Sequence, residues 1–353
     1  MKPNTLEKLI NRELSVNSGK TRGIDKMVRE ELLITPRELK TKIPISDLAR
    51  ATTLQGRKVI ENILDRTDDR FLIITGPCSI DDPQAAIEYA QKLKQLSEQV
   101  KDKAVLVMRV YLEKPRTTIG WKGLLYDPER NDSYEIQKGL EVTRDLLIKI
   151  NELGIPIATE FLHPEIPNYI GDLISWGAIG ARTTESQPHR EFVSGLTIPM
   201  GFKNSTSGDV NVAVDAVTSA RHAQNYPGID DNGRISIIRT NGNPYTHVVL
   251  RGGKNKPNYD SESVKESEEL LEKAELPKNL IIDCSHANSH KKHEEQPSVF
   301  QNILNQRQNN PNIRGVMIES YLEEGKGDNY GQSKTDACIS WKTTERLIKN
   351  AFS

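Results

Sequence analysis

Three cysteines in 353 residues are too few for a disulfide framework, and that scarcity favours a reducing compartment. No apolar run approaches the roughly 20 residues that a spanning helix needs, so no membrane partner is expected. The opening stretch, MKPNTLEKLINRELS, is polar and lacks the apolar core of a signal peptide. The expected setting is cytoplasmic. An excess of one charge is missing as well. Lys plus Arg total 48 against 49 Asp plus Glu, which leaves no footprint for nucleic acid. No GxGxxG follows the first apolar run, which argues against an open dinucleotide-binding sheet.

What the chain does have is a repeating pattern. The length suits one large domain or two small ones. Residues 1–50 are charged and weakly patterned, and they read as an N-terminal extension that makes oligomer or regulatory contacts. The stretch 45–65 has the spaced apolar positions of a helix. From residue 71 onward, eight short apolar runs alternate with longer amphipathic stretches. They are FLIITGPCS, AVLVMRVY, IPIATEF, WGAIGARTT, IPMGFKN, HVVLRGG, NLIIDCSH and RGVMIESY. Eight strands alternating with helices predict an α/β fold, a (β/α)8 TIM barrel occupying 51–353. The segment 229–245 adds an inserted β-strand pair outside the repeat.

In such a barrel, functional residues collect at the C-terminal ends of the strands. Arg109, Lys114, Arg116, Arg182, Lys203 and Arg251 all end or follow apolar runs. Arginine suits carboxylate and phosphate because its planar fork donates two parallel hydrogen bonds. In Lys114-Pro115-Arg116-Thr117-Thr118 the proline stiffens a loop of cations, and the threonine hydroxyls add neutral donors. One pocket for two anionic groups is the reading these residues support. A second set, Cys78, His286, Glu319 and Asp336, has the donor types of a divalent metal site. A carboxylate closing an apolar strand, as Glu319 does, has to meet a cation or a metal.

These motifs, in this order, resemble the 3-deoxy-D-arabino-heptulosonate 7-phosphate (DAHP) synthase family, in its class I branch of enterobacteria and yeast. The resemblance runs from about residue 50 to the C-terminus through GPCSI, MRVYLEKPRTTIGWKG, ATEFL, SWGAIGARTTESQ, GFKN, LRGG, DCSHANS and TDACISW. GFKNSTSGD departs from the family's more usual GFKNGTDG, and the loop between Glu319 and Asp336 is short. The resemblance implies condensation of phosphoenolpyruvate (PEP) with erythrose 4-phosphate on a divalent metal, manganese foremost, with iron, zinc or cobalt as substitutes. It places the metal on Cys78, His286, Glu319 and Asp336. PEP falls on Arg109, Lys114, Arg182, Lys203 and Arg251, and the aldose phosphate on Arg116 and Thr117.

Lys114 or His286 is expected to protonate the developing alkoxide, Lys114 through a pKa lowered by its cationic neighbours. Glu160 is expected to activate water. The resemblance also implies feedback inhibition by an aromatic amino acid, with Pro167, Asn168 and Thr197 as candidate contacts, and a homodimer or homotetramer. Two rivals stand beside this reading. One is the related synthase that uses arabinose 5-phosphate, in which an Asn-containing variant replaces KPRTT. The other is a non-catalytic barrel that senses phosphorylated metabolites.

Overall fold

The computed structural model describes residues 30–254 and 256–352. A compact unit begins at Ile34, and its first elements are the helices α1 (Pro36–Lys42) and α2 (Asp47–Leu64). Each starts on a side-chain cap. Thr35 accepts from Glu38 N–H and Ser46 from Ala49 N–H, meeting donors that a first helical turn leaves unpaired. Strands β1 (Phe71–Gly76), β2 (Ala104–Arg109), β3 (Ile157–Glu160), β4 (Trp176–Ile179) and β5 (Met200–Lys203) come next. A separate antiparallel pair, β6 (Asn225–Ile229) and β7 (Ile235–Arg239), precedes β8 (Thr246–Leu250), β9 (Leu280–Asp283) and β10 (Ile313–Tyr321). The inserted pair therefore starts a few residues before the expected 229–245.

Helices α3 (Pro83–Val100), α4 (Ile136–Glu152), α5 (Ile166–Ile170), α6 (Gln187–Val193), α7 (Asn211–Ala220), α8 (Ser261–Lys273), α9 (Gln296–Arg307) and α10 (Trp341–Phe352) lie between or after the strands. No helix among the described residues is long and apolar enough to cross a membrane. The parallel sheet runs β1-β2-β3-β4-β5-β8-β9-β10, and β10 pairs back onto β1, which closes the expected barrel of eight strands. The two faces of each strand serve two cores, as a period of two requires. Phe71 and Ile73 pack outward against the helices, while Leu72 and Ile74 join Val107, Ala158, Trp176 and Met317 inside. Burial on both faces explains why the strand runs read as continuous apolar stretches. A short strand β11 (Ile339–Ser340) pairs with the end of β10 and returns the loop bearing Asp336 to the same end of the barrel.

The helix expected over 45–65 forms, and it is part of the core. Ile60, Ile63 and Leu64 cluster with the barrel interior. Asn279 and Arg314, at the starts of their strands, donate to the Leu64 and Ile63 carbonyls, so α2 plugs the N-terminal end. Residues 1–29 of the expected extension lie outside the described residues. Within 34–50, Leu39 and Ala49 are fully buried in the compact unit.

Gly56 lets α2 approach the barrel. A Cβ there would stand 2.6 Å from Ser175 Oγ and 2.7 Å from the Pro156 ring carbon. Helix propensity alone favours Gly56→Ala by about 1 kcal/mol. We expect the clash to win, lowering stability by about 1–3 kcal/mol in urea unfolding. A higher unfolding midpoint for the variant would show that α2 does not seat this closely.

Candidate active site

Cys78 follows β1, Arg109 ends β2, Glu160 ends β3, Arg182 follows β4 and Lys203 ends β5. Arg251 follows β8, His286 follows β9, and Glu319 in β10 stands in register with Gly76 of β1. This common level gathers the side chains around a pocket of about 260 Å³. Its wall includes Arg109, Lys114, Arg116, Thr117, Glu160, Arg182, Lys203, Arg251, His286 and Asp336. Cys78 and Glu319 lie beneath it, fully or almost fully buried. A wider cleft of about 800 Å³ shares Thr117, Arg182, Arg251 and Lys291 with the inner pocket. Glu160 rests against Gly180, where any Cβ would overlap its carboxylate, so the glycine makes room for the acid.

Gathering six cations is costly, since two like charges 4 Å apart repel by about 4 kcal/mol at an effective dielectric of ~20. Two buried carboxylates offset this. Lys203 Nζ lies 3.0 Å from Asp283 Oδ2, and Arg109 Nη2 lies 2.8 Å from Glu319 Oε1. Arg109 also donates to the Pro77 and Cys78 carbonyls and sits 3.5 Å over the Tyr111 ring centroid. Arg116, Arg182 and Arg251 have no ion-pair partner among the described residues. They are the arginines of this wall left to meet an anion from outside.

Asp283 was missed by sequence reasoning, although it closes an apolar strand as Glu319 does. It also stands 2.8 Å from His286 Nδ1, a short contact that is poorly aligned for a hydrogen bond. Ser285 N–H donates to its second oxygen. Burial alone would raise the Asp283 carboxyl, but His286 and Lys203 outweigh it and hold the group well below the usual carboxylate range. Burial opposes ionisation of Glu319 too, yet His286, Arg109 and Lys114 bring it down to about 2. His286 itself has φ 56°, an uncommon backbone conformation for a non-glycine residue and one that is concentrated at functional sites.

The four candidate metal ligands come together as two pairs. Cys78 Sγ lies 3.4 Å from Asp336 Oδ2, and His286 Nε2 lies 3.8 Å from Glu319 Oε1. Ligands bound at about 2.0–2.3 Å around one ion stand at such separations. Among the described residues no three His, Cys, Asp or Glu side chains form a completed cluster. The four donors suit a divalent ion by type, and the spacing within each of these two pairs is compatible with one. The short loop after Glu319 still delivers Asp336 to Cys78.

The lowered pKa expected for Lys114 is corrected by the structure, which raises it. Burial lowers it, and so does Arg109, but Cys78 and Glu319 more than compensate, with Nζ 3.0 Å from Cys78 Sγ. Burial pushes the Cys78 thiol up, aided by Glu319, while Lys114 pulls the other way. Cys78 first, and Glu319 after it, thus favour the ammonium form of Lys114.

A second cavity of about 300 Å³ lies outside the barrel, lined by Pro164, Glu165, Pro167, Asn168, Tyr226 and Ile238 among others. Thr197, the third of the candidate effector residues, is not part of that wall. Its hydroxyl accepts from Arg57 Nη1 at 3.0 Å instead.

Removing one member of a buried ion pair leaves the other charge uncompensated, which costs about 3–5 kcal/mol. We expect that loss for Asp283→Asn in urea unfolding, and less than the sum of the single losses when Lys203→Met is added. Strict additivity in that cycle would show that the pair does not hold this side of the pocket.

The model of the DAHP synthetase I family matches residues 42–349. The Tyr-sensitive phospho-2-dehydro-3-deoxyheptonate aldolase of Salmonella typhimurium is 46% identical over 329 residues, 91% of this chain and 92% of that protein. The Trp-sensitive enzyme of Shigella flexneri is 47% identical over 334 residues, 92% of this chain and 96% of its own. A solved structure of phospho-2-dehydro-3-deoxyheptonate aldolase from Francisella tularensis SCHU S4 superposes with a TM-score of 0.90 at 45% identity, covering 93% of this chain and 98% of that one. With the family match spanning the whole barrel, this chain belongs to the DAHP synthetase I family.

Proposed function

We propose that this protein is a DAHP synthase, which condenses PEP, erythrose 4-phosphate and water to DAHP and phosphate. The observation that carries the reading is a set of arginines, Arg116, Arg182 and Arg251, without an ion-pair partner among the described residues, around a pocket floored by metal-type donors. Arg182 and Arg251 bind the carboxylate and phosphate of PEP, and Lys203 and Arg109 supply charge from their buried pairs. Arg116 and Thr117 bind the aldose phosphate. Much of this effect is positioning, because it holds C3 of PEP against the aldehyde carbon.

Cys78, His286, Glu319 and Asp336 would hold a divalent ion, manganese foremost, which when bound supplies Lewis-acid polarisation of the aldehyde. A carbon–carbon bond forms from C3 of PEP to the aldehyde carbon, and the carbonyl electron pair moves to its oxygen. Lys114, kept as an ammonium, gives that oxygen a proton from Nζ. Glu160 takes a proton from the water that adds at C2 of PEP. The C2–oxygen bond to phosphate then breaks as the C2 hydroxyl gives its proton to the departing phosphate, leaving the ketone and inorganic phosphate.

The names of the Tyr- and Trp-sensitive relatives support an aromatic amino acid as feedback effector. The cavity of about 300 Å³ walled by Pro167 and Asn168 has the size and apolar lining for one, and Glu165 and Glu191 for its ammonium. A cytoplasmic homodimer or homotetramer fits the same reading, with the N-terminal extension at the interface.

Phosphate release from PEP by manganese-loaded protein tests the proposal. Turnover is expected with erythrose 4-phosphate, none with arabinose 5-phosphate, and none after chelation. Turnover with arabinose 5-phosphate alone would show that the KPRTT loop was misread. Lys114→Ala is expected to lower kcat by about 100-fold or more as a lost proton donor. Arg116→Ala is expected to raise the KM for erythrose 4-phosphate by about tenfold with a smaller change in kcat. The reverse pattern would exchange the two roles.

A further inference from the structure

The segment from β2 to α4 carries Lys114 and Arg116 and has no regular structure over 110–135. Something must hold it against the barrel. Glu113, immediately before Lys114, is 1% exposed and has three groups within hydrogen-bond distance. Leu162 N–H donates to Oε2 at 3.0 Å, Tyr126 Oη lies 2.9 Å from Oε1, and His163 Nδ1 lies 3.2 Å from the same oxygen. The first of these bonds ties the substrate loop to the chain just past Glu160.

Leu162 is also held from the other side. His189 Nε2 donates to the Leu162 carbonyl at 2.7 Å, and His189 belongs to α6, whose Pro188, Glu191 and Phe192 wall the outer cavity. Pro164 and Glu165, directly after His163, line that cavity as well. A short stretch of backbone thus touches both the outer cavity and the base of the substrate loop.

The contacts at Glu113 also offer a choice. Tyr126 Oη lies 2.5 Å from His163 Nδ1 as well as 2.9 Å from Glu113. One hydroxyl proton serves one acceptor at a time. In one arrangement Tyr126 and His163 Nδ1–H both donate to Glu113. In the other, Tyr126 donates to an unprotonated Nδ1, and Glu113 keeps the Leu162 N–H alone. A discrete pair of arrangements of this kind is what coupling between two sites requires.

We propose that Glu113 is a positioning residue for Lys114 and Arg116, and that an occupant of the outer cavity acts on the substrate pocket by changing how His163 and Tyr126 share their hydrogen bonds with Glu113. The proposal rests on the effector reading above. His163 is the informative position, because its side chain is 59% exposed and its loss leaves little to repack.

The test is steady-state phosphate release by the manganese-loaded full-length protein, with phenylalanine, tyrosine and tryptophan each added in turn. His163→Ala and Tyr126→Phe are expected to keep kcat within about twofold while needing about tenfold more amino acid for half-inhibition. Glu113→Gln is expected to raise the KM for erythrose 4-phosphate by about tenfold more than it changes kcat. Should Glu113→Gln fail to fold, the two milder variants decide. Wild-type inhibition curves for both of them overturn the coupling and leave the effector reading standing. A wild-type enzyme indifferent to all three amino acids overturns the effector reading itself, and the coupling with it.

Discussion

The site depends on two carboxylates that never face the substrate. Asp283 and Glu319 sit at the ends of adjacent strands, buried, and each neutralises one cation of the pocket. Without them Arg109, Lys203 and the arginines around them would repel one another in a space of about 260 Å³. With them, the wall divides into cations already matched and cations still open. The same carboxylates set the state of the groups around them. Asp283 stands beside His286, and Glu319 joins Cys78 in favouring the ammonium form of Lys114. Buried pairs of this kind contribute little net stability, and here they specify how the charge is arranged.

Much of the barrel could be read directly from the sequence, for a physical reason. Parallel strands covered on both faces must be apolar at nearly every position, so runs such as FLIIT and NLIID announce themselves. The residues just past each run lie at the catalytic end, which is why Arg109, Lys203 and His286 could be named in advance. The role of α2 could not. Its pattern says that one face is buried, and nothing local says that Ile60 and Ile63 meet the barrel interior.

The misses at the site have the same origin. Lys114 was judged by the cations near it in sequence, while the groups that decide its charge, Cys78 and Glu319, come from distant strands. Thr197 is absent from the wall of the outer cavity, and Arg57, 140 residues earlier, takes its hydroxyl. Asp283 was legible by the rule already applied to Glu319. In DCSH the histidine drew the reading, and the carboxylate three residues before it was passed over. Glu113 carried no signal of its own, because its three partners come from positions that only the fold brings together.

In the proposed function one pocket holds a metal at its floor and an anion at its wall. Anomalous diffraction from crystals soaked with manganese and PEP tests it most directly. One anomalous peak is expected about 2.0–2.4 Å from donors of Cys78, His286, Glu319 and Asp336, with the PEP phosphate and carboxylate against Arg182 and Arg251. A peak bound elsewhere, or PEP seated in the pocket away from both arginines, would contradict it.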